Sequence, residues 1–88
     1  MAALTTDFTL ADSTWTAVSA AKATVIIYNP STLPVFWGVA AAPSDLANVV
    51  GHELKSLCTI KLNDLGSNNV YIRSGNVGGG AKAAVSAY

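Results

Sequence analysis

The sequence predicts an all-β chain, a small β-sandwich or jelly-roll-like domain of seven or eight antiparallel strands. Three observations predict it. Short runs rich in Val, Ile, Thr and aromatic residues recur about every ten positions, separated by Gly, Pro, Asn, Asp and Ser, which is the punctuation of a sandwich or barrel. Most of these runs alternate apolar and polar residues with period two, and only residues 43–50 admit a helical reading. At 88 residues the chain makes one domain, and a chain of that size buries only about 60 to 65% of the surface its unfolded form exposes.

Residues 4–10 place Leu4, Thr6, Phe8 and Leu10 on one face and Thr5, Asp7 and Thr9 on the other, the pattern of a half-buried strand. Asp12 and Ser13 turn the chain into 14–19, anchored by Trp15. Residues 23–29 are apolar on both faces through Val25, Ile26, Ile27 and Tyr28, which predicts a central strand covered on both sides. Asn29-Pro30-Ser31-Thr32 ends it, because proline cannot donate to a ladder.

The next strand spans 35–41, with Val35, Trp37 and Val39 on one face. Residues 43–50 read as a loop crossing one end of the sandwich, or as one helical turn capped by Ser44; the loop is the reading adopted. Two strands follow at 52–57 and 57–63 with a bend near Ser56, then turn-rich 64–69. A strand at 70–74 points Val70 and Ile72 inward and Tyr71 and Arg73 outward. A flexible Gly-rich loop at 75–81 leads to the last strand, 82–88. The expected core is Val25, Ile27, Val35, Ile60, Leu62, Val70 and Ile72.

Composition narrows the function. Charged residues make up 11% of the chain, against roughly 25% in a typical soluble domain, while the hydrophobic class reaches 51%. A thin core with so little surface charge predicts an assembly component that covers itself by packing against copies and partners. Five basic and five acidic residues cancel, so no electrostatic footprint for nucleic acid or anionic membrane is expected. Cys58 is the only cysteine and His52 the only histidine, which leaves neither a disulfide nor a metal staple. Residues 23–44 lack charge for long enough to suggest a membrane span, but Asn29, Pro30 and Pro34 inside it argue against one. The N-terminus has neither a positive region nor an apolar run of the secretory kind.

Chemistry-bearing motifs are weighed against plainer readings. The glycines of 75–80 look like a phosphate loop, but no Lys-Ser/Thr and no helix follow, so a hairpin loop is expected. His52 and Glu53 are neighbours in a strand and point to opposite faces, which bars a base and its orienting carboxylate. Cys58 lies in an apolar run and is expected as a buried, inert thiol. Trp15, Tyr28, Phe36, Trp37, Tyr71 and Tyr88 are aromatic enough to stack sugars, but core packing at inward positions and an oligomer interface elsewhere are the expected reading. No catalytic, cofactor-binding or metal-binding residue is predicted.

Four segments carry a family resemblance: TWTAVSAAKATVIIYNPS at 14–31, LPVFWGVA at 33–40, APSDLANVVGHEL at 42–54 and NNVYIRSGNVGGGAKAAVSAY at 68–88. Their order resembles that of small virion structural proteins of tailed bacteriophages. The resemblance implies a β-sandwich that decorates or cements a capsid, made in the host cytoplasm and placed on the shell as a symmetric oligomer, with a homotrimer expected. Its implied partner is the major capsid protein, and no cofactor is implied. The rival is a tail-fibre or neck component with a lectin-like role, for which the partner is a host glycan. Expected interface residues are Leu4, Thr6, Phe8 and Leu10, on a 1–12 segment able to act as an extended arm whose loss spares the fold, together with Tyr88.

Overall fold

A computed structural model describes residues 4–10, 14–19, 23–46, 50–75 and 80–88. Eight strands lie among them: β1 (Leu4–Thr9), β2 (Thr16–Ser19), β3 (Val25–Tyr28), β4 (Val35–Ala40), β5 (His52–Leu54), β6 (Thr59–Leu62), β7 (Asn69–Ser74) and β8 (Lys82–Ala87). A single 3-10 turn, Pro43–Leu46, follows β4.

The pairing shows how the chain is wound. β1 pairs with β8, β2 with β7, β3 with β6 and β4 with β5, all antiparallel. The chain is therefore one long hairpin folded at the β4–β5 connection. Pairing of β3 with β8 and of β4 with β7 then rolls that hairpin up. Two four-stranded sheets result, a first in the order β1-β8-β3-β6 and a second in the order β2-β7-β4-β5. This is the jelly-roll arrangement, and it delivers the predicted fold class.

Period-two alternation sorts the side chains. On the first sheet Val25, Ile27, Ala83 and Val85 face inward; on the second Val35, Leu54, Val70 and Ile72 meet them, and Leu10, Leu65 and Ala81 join the same cluster. Five of the seven expected core residues are fully enclosed, while Ile60 and Leu62 are only partly buried and pack against its margin. The reason is position, because β6 is the outermost strand of its sheet.

Three expectations are corrected. Residues 43–46 form the helical turn rather than a plain loop, and Asp45, not Ser44, closes it by accepting from the Ala42 amide at 3.2 Å; residues 47–49 lie outside the described residues. The 75–81 connection is no hairpin, since β7 and β8 belong to different sheets. Its ends are held where Gly75 N donates to Pro34 O and Gly80 N to Leu10 O, both at 3.0 Å, and residues 76–79 lie outside the described residues. The bend near Ser56 is present, but it carries the chain from the second sheet to the first.

The sheets are stitched together by a buried polar side chain. Asn29 Nδ2 donates to Leu33 O at 2.8 Å and to Leu54 O at 3.1 Å. Its Oδ1 accepts from Ser31 N at 3.0 Å and Ser31 Oγ at 2.7 Å. Its backbone N–H donates to Cys58 O, and its carbonyl accepts from Leu57 N. A fully enclosed asparagine is thus fully satisfied, as burial in a low-dielectric interior demands.

Candidate interaction surfaces

The two outer faces of the sandwich differ. On the second sheet, the chain covers itself: Trp15, just before β2, donates from Nε1 to Leu46 O at 3.1 Å, which ties the 3-10 turn down. Arg73 lies 4.5 Å from the Phe36 ring centroid and 5.2 Å from that of Trp15, while its Nη2 donates to Val50 O at 2.8 Å. A planar guanidinium held between aromatic rings is a packing element as much as a charge. Beneath this cover Tyr71, expected to point to solvent, is only 3% exposed.

The cover depends on two glycines. At Gly38 a Cβ would meet Leu46 Cδ2 at 3.2 Å, and at Gly51 it would sit 2.6 Å from Trp15 Cη2 and 2.9 Å from Trp37 O. Gly51 also has φ +92°, which an L side chain rarely adopts. Close approach and backbone geometry both require glycine there.

The first sheet has no such cover among the described residues. One outward row runs Asp7, Ala84, Tyr28, Thr59 across four paired strands, and another joins Ser86, Ile26 and Lys61. Thr9 and Lys82 form a third. Tyr28 is 37% exposed, although the sequence places it in a doubly covered strand.

The sheet edges differ as well. β2 is short and shifts register between Ala17 and Ser19, β5 pairs only with Val35–Trp37, and β6 carries the exposed Lys61. Bulges, short length and lysine each blunt an edge against pairing. β1 has six residues, no register shift and a partner on one side only, which makes it the edge best able to accept another strand.

The expected interface residues fall as follows. Leu4 pairs with Ala87 and Thr6 with Val85. Phe8 packs against the core and Leu10, 2% exposed, belongs to it, so β1 turns Asp7 and Thr9, rather than Phe8 and Leu10, to solvent. Tyr88 is 44% exposed and is tied by its backbone to Thr24 through two bonds of 2.9 Å. Residues 1–3, 11 and 12 of the expected arm lie outside the described residues, and β1, within the rest of it, is built into the first sheet.

Two surface features escaped the sequence reading. Leu57 is 67% exposed at φ 62°, a conformation costly for a bulky side chain. Cys58, expected to be buried, is exposed, because the β5–β6 crossover ends just before β6 begins. No local signal in an apolar run distinguishes such a crossover from a continuous strand.

His52 and Glu53 are both exposed on alternating positions, and the His52 ring packs on Trp37 at 4.5 Å between centroids, beside a 480 Å³ cleft that also touches Asp45 and Leu46. Among the described residues no three His, Cys, Asp or Glu side chains come together as a metal site. Residues 23–44, weighed as a membrane span, supply β3 and β4. The chain matches no family model, no curated protein and no solved structure.

Proposed function

We propose that this chain is a non-enzymatic structural protein of a tailed-bacteriophage virion, a decoration or cement protein that stabilises the head shell as a symmetric oligomer. The observation that carries the reading is the jelly-roll strand order, an architecture recurrent in viral capsid and lectin domains. Fold alone does not imply function, and the surfaces add their own argument. One outer face is closed by the chain's own Trp15, Arg73 and Leu46, while the other has no such cover among the described residues and ends in the unbulged β1 edge. A module with one finished and one unfinished face is shaped to be packed on one side.

In this reading the first sheet supplies the contact through its β1 edge. The β1 edge adds a strand to a neighbour, main-chain bonds giving affinity, and the exposed Tyr88, at the end of the adjacent β8, buries apolar area beside it. A homotrimer closes such contacts symmetrically at threefold positions of a shell. The test is addition of full-length protein to shells that lack it: the protein binds, and the shells withstand higher temperature. Protein that leaves shells unbound and their heat resistance unchanged would sink the reading.

A further inference from the structure

The outer face of the first sheet contains a 370 Å³ trough touched by Asp7, Thr9, Tyr28, Pro30, Lys82 and Ala84. Its shape follows from one register row, in which Asp7 pairs with Ala84 and Ala84 with Tyr28. Directly paired residues share a face. An alanine methyl therefore floors a channel whose walls, a carboxylate and a phenol, stand on strands two spacings or about 9.6 Å apart. The next row adds the Thr9 hydroxyl and the Lys82 ammonium. No hydrogen bond or ion pair among the described residues engages any of these four side chains.

We propose that this trough binds a neutral saccharide ring. Asp7 disfavours an anion and Lys82 a cation, since each would bring like charge into the same small space. A peptide adding as a strand needs a free edge, whereas the floor here is β8, which is paired on both sides. A sugar ring satisfies every group at once. Its hydroxyls donate to Asp7, accept from Lys82 and do both with Thr9. Its C–H face packs on the Tyr28 ring, an aromatic surface with little conformational entropy to lose. Pro30 and Ala84 complete the apolar side.

The test is saturation-transfer NMR on the full chain with methyl glycosides of glucose, galactose, mannose and N-acetylglucosamine. At least one probe receives saturation at its ring protons. Asp7→Asn, which keeps shape and removes charge, weakens that probe about tenfold, the factor of one charge-assisted hydrogen bond. Tyr28→Ala abolishes the transfer, and Lys61→Ala on the same face leaves it unchanged. Thermal melts of the variants confirm that the fold persists. Absence of transfer to all four probes overturns the proposal, as does equal transfer in wild type and Tyr28→Ala. Loss of an oligomer in Tyr28→Ala, seen by sedimentation, assigns the trough to contact between copies and overturns it too. None of these outcomes depends on shell attachment, so this site and the shell-stabilising reading fail separately.

Discussion

Asn29 uses every hydrogen-bonding atom it has, and it does so where the β3–β4 and β5–β6 connections meet. Asn29→Ala takes that donor from the Leu54 carbonyl and the Asn29 acceptor from Ser31, while Leu33 O keeps Ser31 Oγ at 3.0 Å, and each buried group left unpaired costs about 1 to 3 kcal/mol. We expect a loss of roughly 3 kcal/mol by denaturant titration on this basis. Asn29→Asp keeps the shape but turns an acceptor toward those two carbonyls. A buried carboxyl there titrates above its unfolded value, so the folded state holds the proton more tightly and stability falls as pH rises. The deficit of Asn29→Asp relative to wild type should therefore shrink from neutral to acid pH, whereas that of Asn29→Ala should stay flat. A pH-independent deficit for both would contradict the proposed burial.

Gly51 and Gly66 separate two kinds of glycine requirement. Both have positive φ, but a Cβ meets Trp15 and Trp37 at Gly51 and open space at Gly66. Gly66→Ala should cost only the backbone penalty, about 1 to 2 kcal/mol. Gly51→Ala adds the clash that lifts Trp15 from its seat, and should lower thermal stability further while raising the solvent exposure of tryptophan fluorescence. Equal losses at the two positions would show that Trp15 does not sit as described.

Strands form the next scale, and burial across β3 and β6 ranks their side chains. Ile27→Ala empties a fully enclosed site and should cost about 2 to 5 kcal/mol. Ile60, paired with Ile27 but on the outermost strand, should cost less, and Lys61→Ala on the outer face should stay within about 0.5 kcal/mol. Urea midpoints give the order directly, and a reversed order of Ile60 and Lys61 would mean that β6 is displaced by one residue. Deleting residues 1–10 should remove both the strand that completes the first sheet and the core side chain Leu10, and leave a chain that fails to fold cooperatively. A truncated domain with an undiminished melting transition would restore the dispensable arm.

Strand positions were legible because alternation and turn residues are local properties. Val35, Val70 and Ile72 are inward in both readings for that reason. Tyr71 and Cys58 were misjudged because their environment is set by distant chain. Trp15 and Leu46 return over the outer face above Tyr71, and the β5–β6 crossover lifts Cys58 into solvent. Likewise, the free face of β1 depends on which residues of β8 it pairs with, and period two alone does not say which side is the core. The trough at Tyr28 was invisible for the same reason, since Asp7, Ala84 and Tyr28 are neighbours only through pairing.

At the scale of the molecule, a small sandwich with an open β1 edge and with 11% charged residues is predicted to associate. Sedimentation equilibrium at micromolar concentration should find a trimer. The β1 edge offers main-chain groups to a neighbour, so that association should change little with salt, because burial and main-chain pairing are not screened. A monomer at every concentration, or an oligomer that dissolves in moderate salt, would contradict this account of the contact.

A shell component is set apart from a tail or neck part by its stoichiometry. Quantitative gel or mass-spectrometric analysis of purified virions should find this chain in numbers comparable with the major capsid protein, as a decoration protein requires. A copy number that is a small fraction of the shell protein's would place the chain in a tail or neck, and its absence from particles would contradict the claim outright.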